Sequence, residues 1–336
     1  MRVLNLNNDK IDKVYLGNQI LCKSGWEAND VLQPDILEKV YQEIDGLKEI
    51  WRFTDHTGSV LAVAVDTEGN VYSGSRGSTV RKINKDGQEI WRFTDHTGSV
   101  NAVAVDTEGN VYSGGSDNTV RKINKDGQEI WRFTDHTGSV NAVAVDTEGN
   151  VYSGGYDRAV IKINKNGQEI WRLTGSVNAV AVDTEGNVYI GGYDSTVRKI
   201  NKDGQEIWRF TDHTGPVLAV AVDTEGNVYS GGSDNTVRKI NKNGQEIWRF
   251  ADYVSAVAVD TERNVYSGSR GSTVIKINKD GQEIWRFTGH TNPVNAVAVD
   301  TEGNVYSGGS DSTVRKISQK TRTFLGYKIL RNKGEI

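Results

Sequence analysis

The pentapeptide Glu-Ile-Trp-Arg-Phe returns along the chain, intact or with one change, with its tryptophan at 51, 91, 131, 171, 208, 248 and 285. The steps are 40, 40, 40, 37, 40 and 37 residues, and residues 88–115 and 128–155 are identical. A chain that repeats at this period is built from small supersecondary units. Each unit cannot bury its apolar face alone and must pack on the next copy. Seven copies of Asn-Val-Tyr-Ser-Gly-Gly or a close variant begin at Asn70, Asn110, Asn150, Asn187, Asn227, Asn264 and Asn304, which sets the number of units at seven.

One unit, residues 99–133, reads as four short strands. Val100 to Val105 is nearly all apolar, as a strand buried on both faces requires, and Ala102 and Ala104 are small enough for close neighbours near an axis. Thr107-Glu108-Gly109 supplies the glycine of a tight hairpin. The second strand, Asn-Val-Tyr-Ser-Gly-Gly, ends in glycines where backbones approach or bend. Thr-Val-Arg-Lys-Ile-Asn is half polar, Asp126-Gly127 is a two-residue turn signal, and Gln-Glu-Ile-Trp-Arg-Phe is the outermost strand. Small and apolar inside, polar outside, four strands per unit: the pattern predicts an all-β, seven-bladed β-propeller over residues 47–317.

Composition agrees and excludes other classes. The 336 residues include 37 Gly, 8 Trp and 13 Tyr against 3 Pro. Apolar runs reach only about six residues, far from the roughly 18 that span a bilayer, so no membrane insertion is expected. The start, MRVLNLNNDKIDK, has no apolar core of a secretory signal. A lone Cys22 excludes internal disulfides and cysteine-paired zinc. Net charge is -4 with both signs interspersed, so no nucleic-acid partner is expected.

The stretch HTGSVNAVAVDTEGNVYSGGSDNTVRKIN resembles a WD-repeat blade, with Ile123-Asn124 in place of that family's Trp-Asp ending. The stretch NVYSGGSDNTVRKINKDGQEIWRF also resembles the blades of pyrroloquinoline-quinone-type propellers and their GxxxW ending. Both resemblances imply the fold; neither implies one function, since propellers host enzymes, lectins and scaffolds. Quinone chemistry is not expected, because the enzymes of that type generally use eight blades and carry cofactor-specific residues not identifiable here. No cofactor is expected.

Leu47 to Phe53 is an outermost strand with no unit before it, while the last unit, Val294 to Ile317, lacks one. The N-terminal strand is therefore expected to complete the last blade and close the ring. Thr323 to Tyr327 competes for the same place, and residues 318–336 are read as a tail. Residues 1–46 stand outside the repeat as a small adapter. Val14-Tyr15-Leu16, Gly17-Asn18 and Gln19-Ile20-Leu21 read as a hairpin. Pro34 to Asp45 reads as an amphipathic helix with Ile36, Leu37, Val40, Tyr41 and Ile44 on one face, so Ile36, Val40 and Ile44 are expected in a partner interface. The phrase KVYLGNQIL resembles an opening motif of structural tail proteins of phages and prophages of Gram-positive bacteria.

All five histidines, His56, His96, His136, His213 and His290, occupy the same loop between units. Each belongs to a different blade, which separates them too far to share a metal, so no metal is expected. In WD-repeat blades the corresponding histidine bonds a serine and an aspartate. The resemblance thus implies structural sets His96, Ser113, Asp117; His136, Ser153, Asp157; His213, Ser230, Asp234; and His290, Ser307, Asp311. The fourth unit has lost its His and has Ile190 for Ser; the first keeps His56 without an Asp; the sixth lacks both. A catalytic triad would need an exposed nucleophile and an oxyanion hole, and no motif marks either. The repeated Asp-Thr-Glu-Gly-Asn lacks the ligands of a calcium loop, and Asp66, Asp106 and their copies are expected to accept backbone bonds in the turn. Trp91, Trp131 and their copies read as blade-to-blade packing, and Arg121-Lys122 and its copies as solvated strand faces.

The units differ most in the turn before the third strand, where Arg76, Tyr156, Arg158, Tyr193 and Arg270 stand. Loops on a rigid scaffold are where binding concentrates, and Arg and Tyr suit sugar or protein contacts. Drift in a solvated turn accounts for the same differences. The expectation is a non-enzymatic, adhesive tail-type virion protein. Residues 1–46 would dock to virion proteins, and the propeller would bind a host glycan or protein multivalently, with homo-oligomers open. The alternative is a cytoplasmic WD-repeat-type scaffold for protein partners.

Overall fold

The computed structural model describes residues 37–329 throughout, the strands Leu4–Asn7, Lys10–Leu16, Gln19–Cys22 and Trp26–Glu27 before them, and side chains over residues 46–319. The chain divides into two compact units, residues 49–317 and residues 1–48 with 318–336.

The larger unit is a seven-bladed propeller. Blade two shows the plan: Val100–Val105, Val111–Gly115, Val120–Ile123 and Glu129–Phe133 pair antiparallel in sequence order. The second strand is buried on every residue, whereas the outer strand alternates, with Ile130 and Arg132 outward and Trp131 and Phe133 inward. The first strands gather around the axis, where Ala62, Ala102, Ala142, Asn101, Asn141 and their counterparts line a cavity of about 190 Å³. Gly114 permits the blades to meet: a Cβ there would lie 2.5 Å from Val140 Cγ1 of blade three.

Cores form between blades. Ala62, Tyr72, Val80 and Phe93 of blade one pack on Val100, Val103, Val111 and Ile123 of blade two. Full burial of such a side chain stabilises by about 1.5–3 kcal/mol, so each interface contributes substantially. Tyr112 is fully buried, and its hydroxyl donates to Asp106 Oδ2 at 2.9 Å, which removes the cost of an unpaired polar group. Trp91 Nε1 donates to the Lys125 carbonyl of the next blade at 2.9 Å, locking neighbours together.

Blade seven comprises Val294–Val299, Val305–Gly309 and the start of Val314–Ile329, with the last residues of Leu37–Phe53, from Glu49 on, as its outer strand. Phe53 joins Ala296, Tyr306 and Val314 against Val60, Val63, Val71 and Ile83 of blade one, repeating the role of Phe93 one blade back. Glu49 Oε2 accepts from buried Arg315 Nη1 at 2.7 Å, as Glu129 does from Arg121. The ring is therefore closed by the first copy of Glu-Ile-Trp-Arg-Phe. Residues 323–327 continue the strand Val314–Ile329 and do not form an outer strand.

In the smaller unit, Lys10–Leu16 pairs antiparallel with Leu4–Asn7, Gln19–Cys22 and Trp26–Glu27, with Leu16 opposite Gln19 as a hairpin demands. The helix expected over residues 34–45 is corrected. From Leu37 onward the chain is strand, while Pro34, Ile36 and the rest of residues 28–36 lie outside the described residues. The strand continues into the outer strand of blade seven and pairs with the far end of the chain, a non-local contact that overrides a local periodicity. Val40 and Ile44 thus lie on a strand, and the helical face that defined them as an interface is absent. Among the described residues no helix is long and apolar enough to cross a membrane.

Candidate functional site

The histidine sets are brought together in each of the four blades that carry them. In blade two, His96 Nδ1 lies 2.8 Å from Asp117 Oδ2 and Nε2 lies 2.8 Å from Ser113 Oγ. His136 with Asp157 and Ser153, His213 with Asp234 and Ser230, and His290 with Asp311 and Ser307 repeat these contacts at 2.8–2.9 Å. The order resembles a charge-relay triad, yet Ser113, Ser153, Ser230 and Ser307 have no exposed surface, so a substrate carbonyl has no path to them. Burial holds His136, His213 and His290 below the usual imidazole range against the opposing pull of their aspartates. Burial alone would raise Asp117, Asp157, Asp234 and Asp311. Hydrogen bonds from histidine, threonine and backbone N–H groups outweigh it and leave all four below the usual carboxylate range.

Sequence reasoning missed the arginine of these networks. Arg121, expected on a solvated face, is only 2% exposed. Its Nε donates to Thr119 Oγ1, Nη2 to Asp117 Oδ2 and Nη1 to Glu129 Oε2, at 3.1, 3.1 and 2.7 Å. Arg238 and Arg315 do the same, the latter toward Glu49. The correction has a simple cause: two carboxylates from neighbouring strands and turns neutralise the guanidinium, so it can be buried. Lys122 packs its ammonium 5.3 Å from the Tyr112 ring centroid. The missed signal was the recurrence of Asp four residues before each such arginine, and of Glu eight residues after Arg121 and Arg238.

The irregular blades show how the network is replaced. In blade six, which has no histidine, Asp252 Oδ2 accepts from Ser267 Oγ at 2.7 Å. In blade four, Arg198 reaches the Ser176 carbonyl and Asp194. In blade one, His56 Nε2 meets Ser73 Oγ at 2.8 Å, but Nδ1 has no partner. Here Gly77 stands where blade two has Asp117, and Ser75 where it has Gly115. A Cβ on Gly115 would lie 2.7 Å from Asp117 Oδ1 and 2.8 Å from His96 Nδ1, so serine and aspartate exclude each other. Gly77→Asp alone is therefore expected to destabilise the chain or leave it unchanged. Ser75→Gly with Gly77→Asp should gain about 1–3 kcal/mol by pairing His56 and Arg81. Urea midpoints of the two variants decide this; an equal gain from Gly77→Asp alone would refute the exclusion.

Asp106 Oδ1 accepts from the backbone N–H groups of Glu108 and Asn110. Among the described residues no group of three or more His, Cys, Asp or Glu side chains is placed to hold a metal ion. His96 and its counterparts each face their own Asp and Ser.

The five turn residues lie on one face, since alternate turns of an antiparallel blade fall at opposite ends. Arg76, Tyr156, Arg158, Tyr193 and Arg270 are all exposed. Tyr156 and Tyr193, from blades three and four, stack with centroids 5.7 Å apart and planes at 22°. Partial burial and the neighbouring Tyr156 hydroxyl raise the Tyr193 phenol above its ordinary range. Tyr253, which sequence reasoning passed over, is also exposed, and its carbonyl accepts from the Arg270 N–H at 2.7 Å. The 37-residue step at that blade was the available signal.

Three overlapping stretches, residues 41–147, 117–249 and 233–325, match the family model PQQ_2, described as outer membrane protein assembly factor BamB. The chain belongs to this family. The overlap of the three matches follows from the internal repeat, because the model can be placed on successive sets of blades of the PQQ_2 propeller. No curated protein matches the chain.

Proposed function

We propose that this propeller is a non-enzymatic binding module whose loop face, the face carrying Arg76, Tyr156 and Tyr193, engages a protein partner. One observation carries the reading. Blades that are otherwise near copies differ in the exposed turn before the third strand, and there they present tyrosine and arginine. These residue types are enriched in protein interfaces. The buried serines of the histidine sets favour a structural role over a hydrolytic one. A finer reading places the chain on a phage particle, attached through residues 1–46; the resemblance of KVYLGNQIL and the hairpin formed there support it.

A photo-crosslinking residue at position 156 should trap a partner in the native setting, whereas one at position 126, on a turn at the opposite end of the blade, should not. Trapping from position 126 alone would overturn the loop-face assignment. A hydrolytic activity that His96→Ala abolishes with the fold intact would overturn the non-enzymatic reading.

A further inference from the structure

Arg76, Arg158 and Arg270 are the arginines among residues 46–319, whose side chains are described, that form no ion pair, and all three are exposed on the loop face. Every other arginine in residues 46–319 is paired with a carboxylate. The exposed tyrosines among residues 46–319 are likewise confined to this face: Tyr156, Tyr193 and Tyr253. For Arg158 and Arg270 a shared cause lies in the connections between blades.

Where the repeat is regular, Phe133-Thr-Asp-His-Thr-Gly-Ser leads to Val140, and four of the five full-length connections carry an exposed aspartate, Gly289 standing there in the fifth. Asp55, Asp95, Asp135 and Asp212 are such residues. The connections from Leu173 to Val177 and from Phe250 to Val254 are three residues shorter. The first has no aspartate, and the second has Asp252 turned inward onto Ser267. Arg158 lies against the first, its carbonyl accepting from Gly175 N–H at 2.7 Å; Arg270 lies against the second through Tyr253. Each shortened connection thus sets exposed tyrosine beside a cation that no neighbouring acid neutralises.

Tyr156 and Tyr193 also replace a serine that elsewhere bonds an asparagine near the axis. In blade two, Asn101 Nδ2 donates to Ser116 Oγ and to the Val140 carbonyl, and Asn295 repeats this with Ser310 and Val60. Tyr156 takes the place of that serine in blade three, where Asn141 Nδ2 is buried without a partner; Tyr193 takes it in blade four, where Asn178 Nδ2 still donates to the Val217 carbonyl at 3.1 Å.

We propose that the seam between blades three and four recognises an acidic protein segment. An apolar or aromatic side chain of that segment packs on Tyr156 and Tyr193, and its carboxylate pairs with Arg158. Tyr253 and Arg270 offer a second site of the same chemistry. This rests on the loop face being a protein-binding surface. The other blades supply substitutions that the fold already accommodates: Ser116 occupies the place of Tyr156, and Asn118 that of Arg158 with φ of 62°, the same as Arg158 itself.

The full chain is panned against displayed short random peptides. Enriched peptides should carry Asp or Glu beside an aromatic or aliphatic residue and bind more weakly as salt rises. They should lose about tenfold or more in affinity with Tyr156→Ser/Tyr193→Ser and with Arg158→Asn. Peptides without acids, peptides indifferent to these variants, or no enrichment over a variant lacking all five turn residues would overturn the inference. Loss with Arg76→Ser but not at the seam would overturn the seam while leaving the loop-face reading intact. Indifference to every loop-face variant would remove both. Binding to immobilised neutral glycans that needs Tyr156 but not Arg158 would make the seam a sugar site instead.

Discussion

A chain beginning at Ser59 is expected to lose the cooperative unfolding of the propeller, whereas one beginning at Leu47 should keep it. The shorter chain lacks Glu49, Trp51 and Phe53. Without Phe53 the core shared by blades seven and one loses a buried aromatic, a change of the class that costs about 3–5 kcal/mol. Without Glu49, Arg315 keeps Asp311 but loses its second carboxylate, and a buried charge stripped of a partner costs a comparable amount. Trp51 Nε1 no longer reaches the Lys85 carbonyl of blade one. Together these losses approach the roughly 5–15 kcal/mol that holds a typical domain folded. Blade seven would also present an open strand edge, so association should accompany instability. Urea unfolding followed by tryptophan fluorescence, with sedimentation, separates the outcomes. Equal midpoints and slopes for the two chains would show that residues 49–53 do not hold the ring closed.

The parts of this architecture readable in advance are those set by local chemistry. Ala102 beside the axis and Gly114 against Val140 follow from size, and repetition multiplies each signal sevenfold. The orphan Leu47–Phe53 strand was legible for the same reason: a periodic pattern exposes the one copy out of place. Residues 37–45 were not, because Val40, Tyr41 and Ile44 fit a helical period as well as a strand, and the decision belongs to a partner strand at the other end of the chain. Arg121 was not, because one strand cannot reveal that Asp117 and Glu129 converge on it. The coupled exchange of Gly115 and Asp117 for Ser75 and Gly77 is written in the letters, yet its meaning depends on a gap of less than 3 Å. The candidate binding residues were visible as differences between copies. That their arginines are the unpaired ones required the coordinates.

Lowering the pH from neutral should weaken the propeller well before its carboxylates protonate, with blade one contributing most. Burial, reinforced by Arg81 and Arg92, pushes the His56 imidazole down from 6.5 to about 3. His56 is therefore neutral in the fold across a range where the unfolded chain takes up a proton. Its contribution is fully present above about 6.5 and is lost as pH falls toward 3. At about 1.4 kcal/mol per pH unit, that interval corresponds to on the order of 5 kcal/mol as an upper bound. His136, His213 and His290 act in the same direction, each moderated by its aspartate. The depressed carboxylates of Asp117, Asp157, Asp234 and Asp311 add a second loss, which begins only below their unfolded values near 4. Unfolding free energy measured from neutral pH to about pH 4 should therefore fall steadily, then faster. In His56→Gln the upper part of that slope should flatten by the uptake of up to one proton, because glutamine cannot be charged in either state. An unchanged slope in His56→Gln would mean that His56 is protonated in the fold, and with it the argument that blade one tolerates an unpaired Nδ1 would fail.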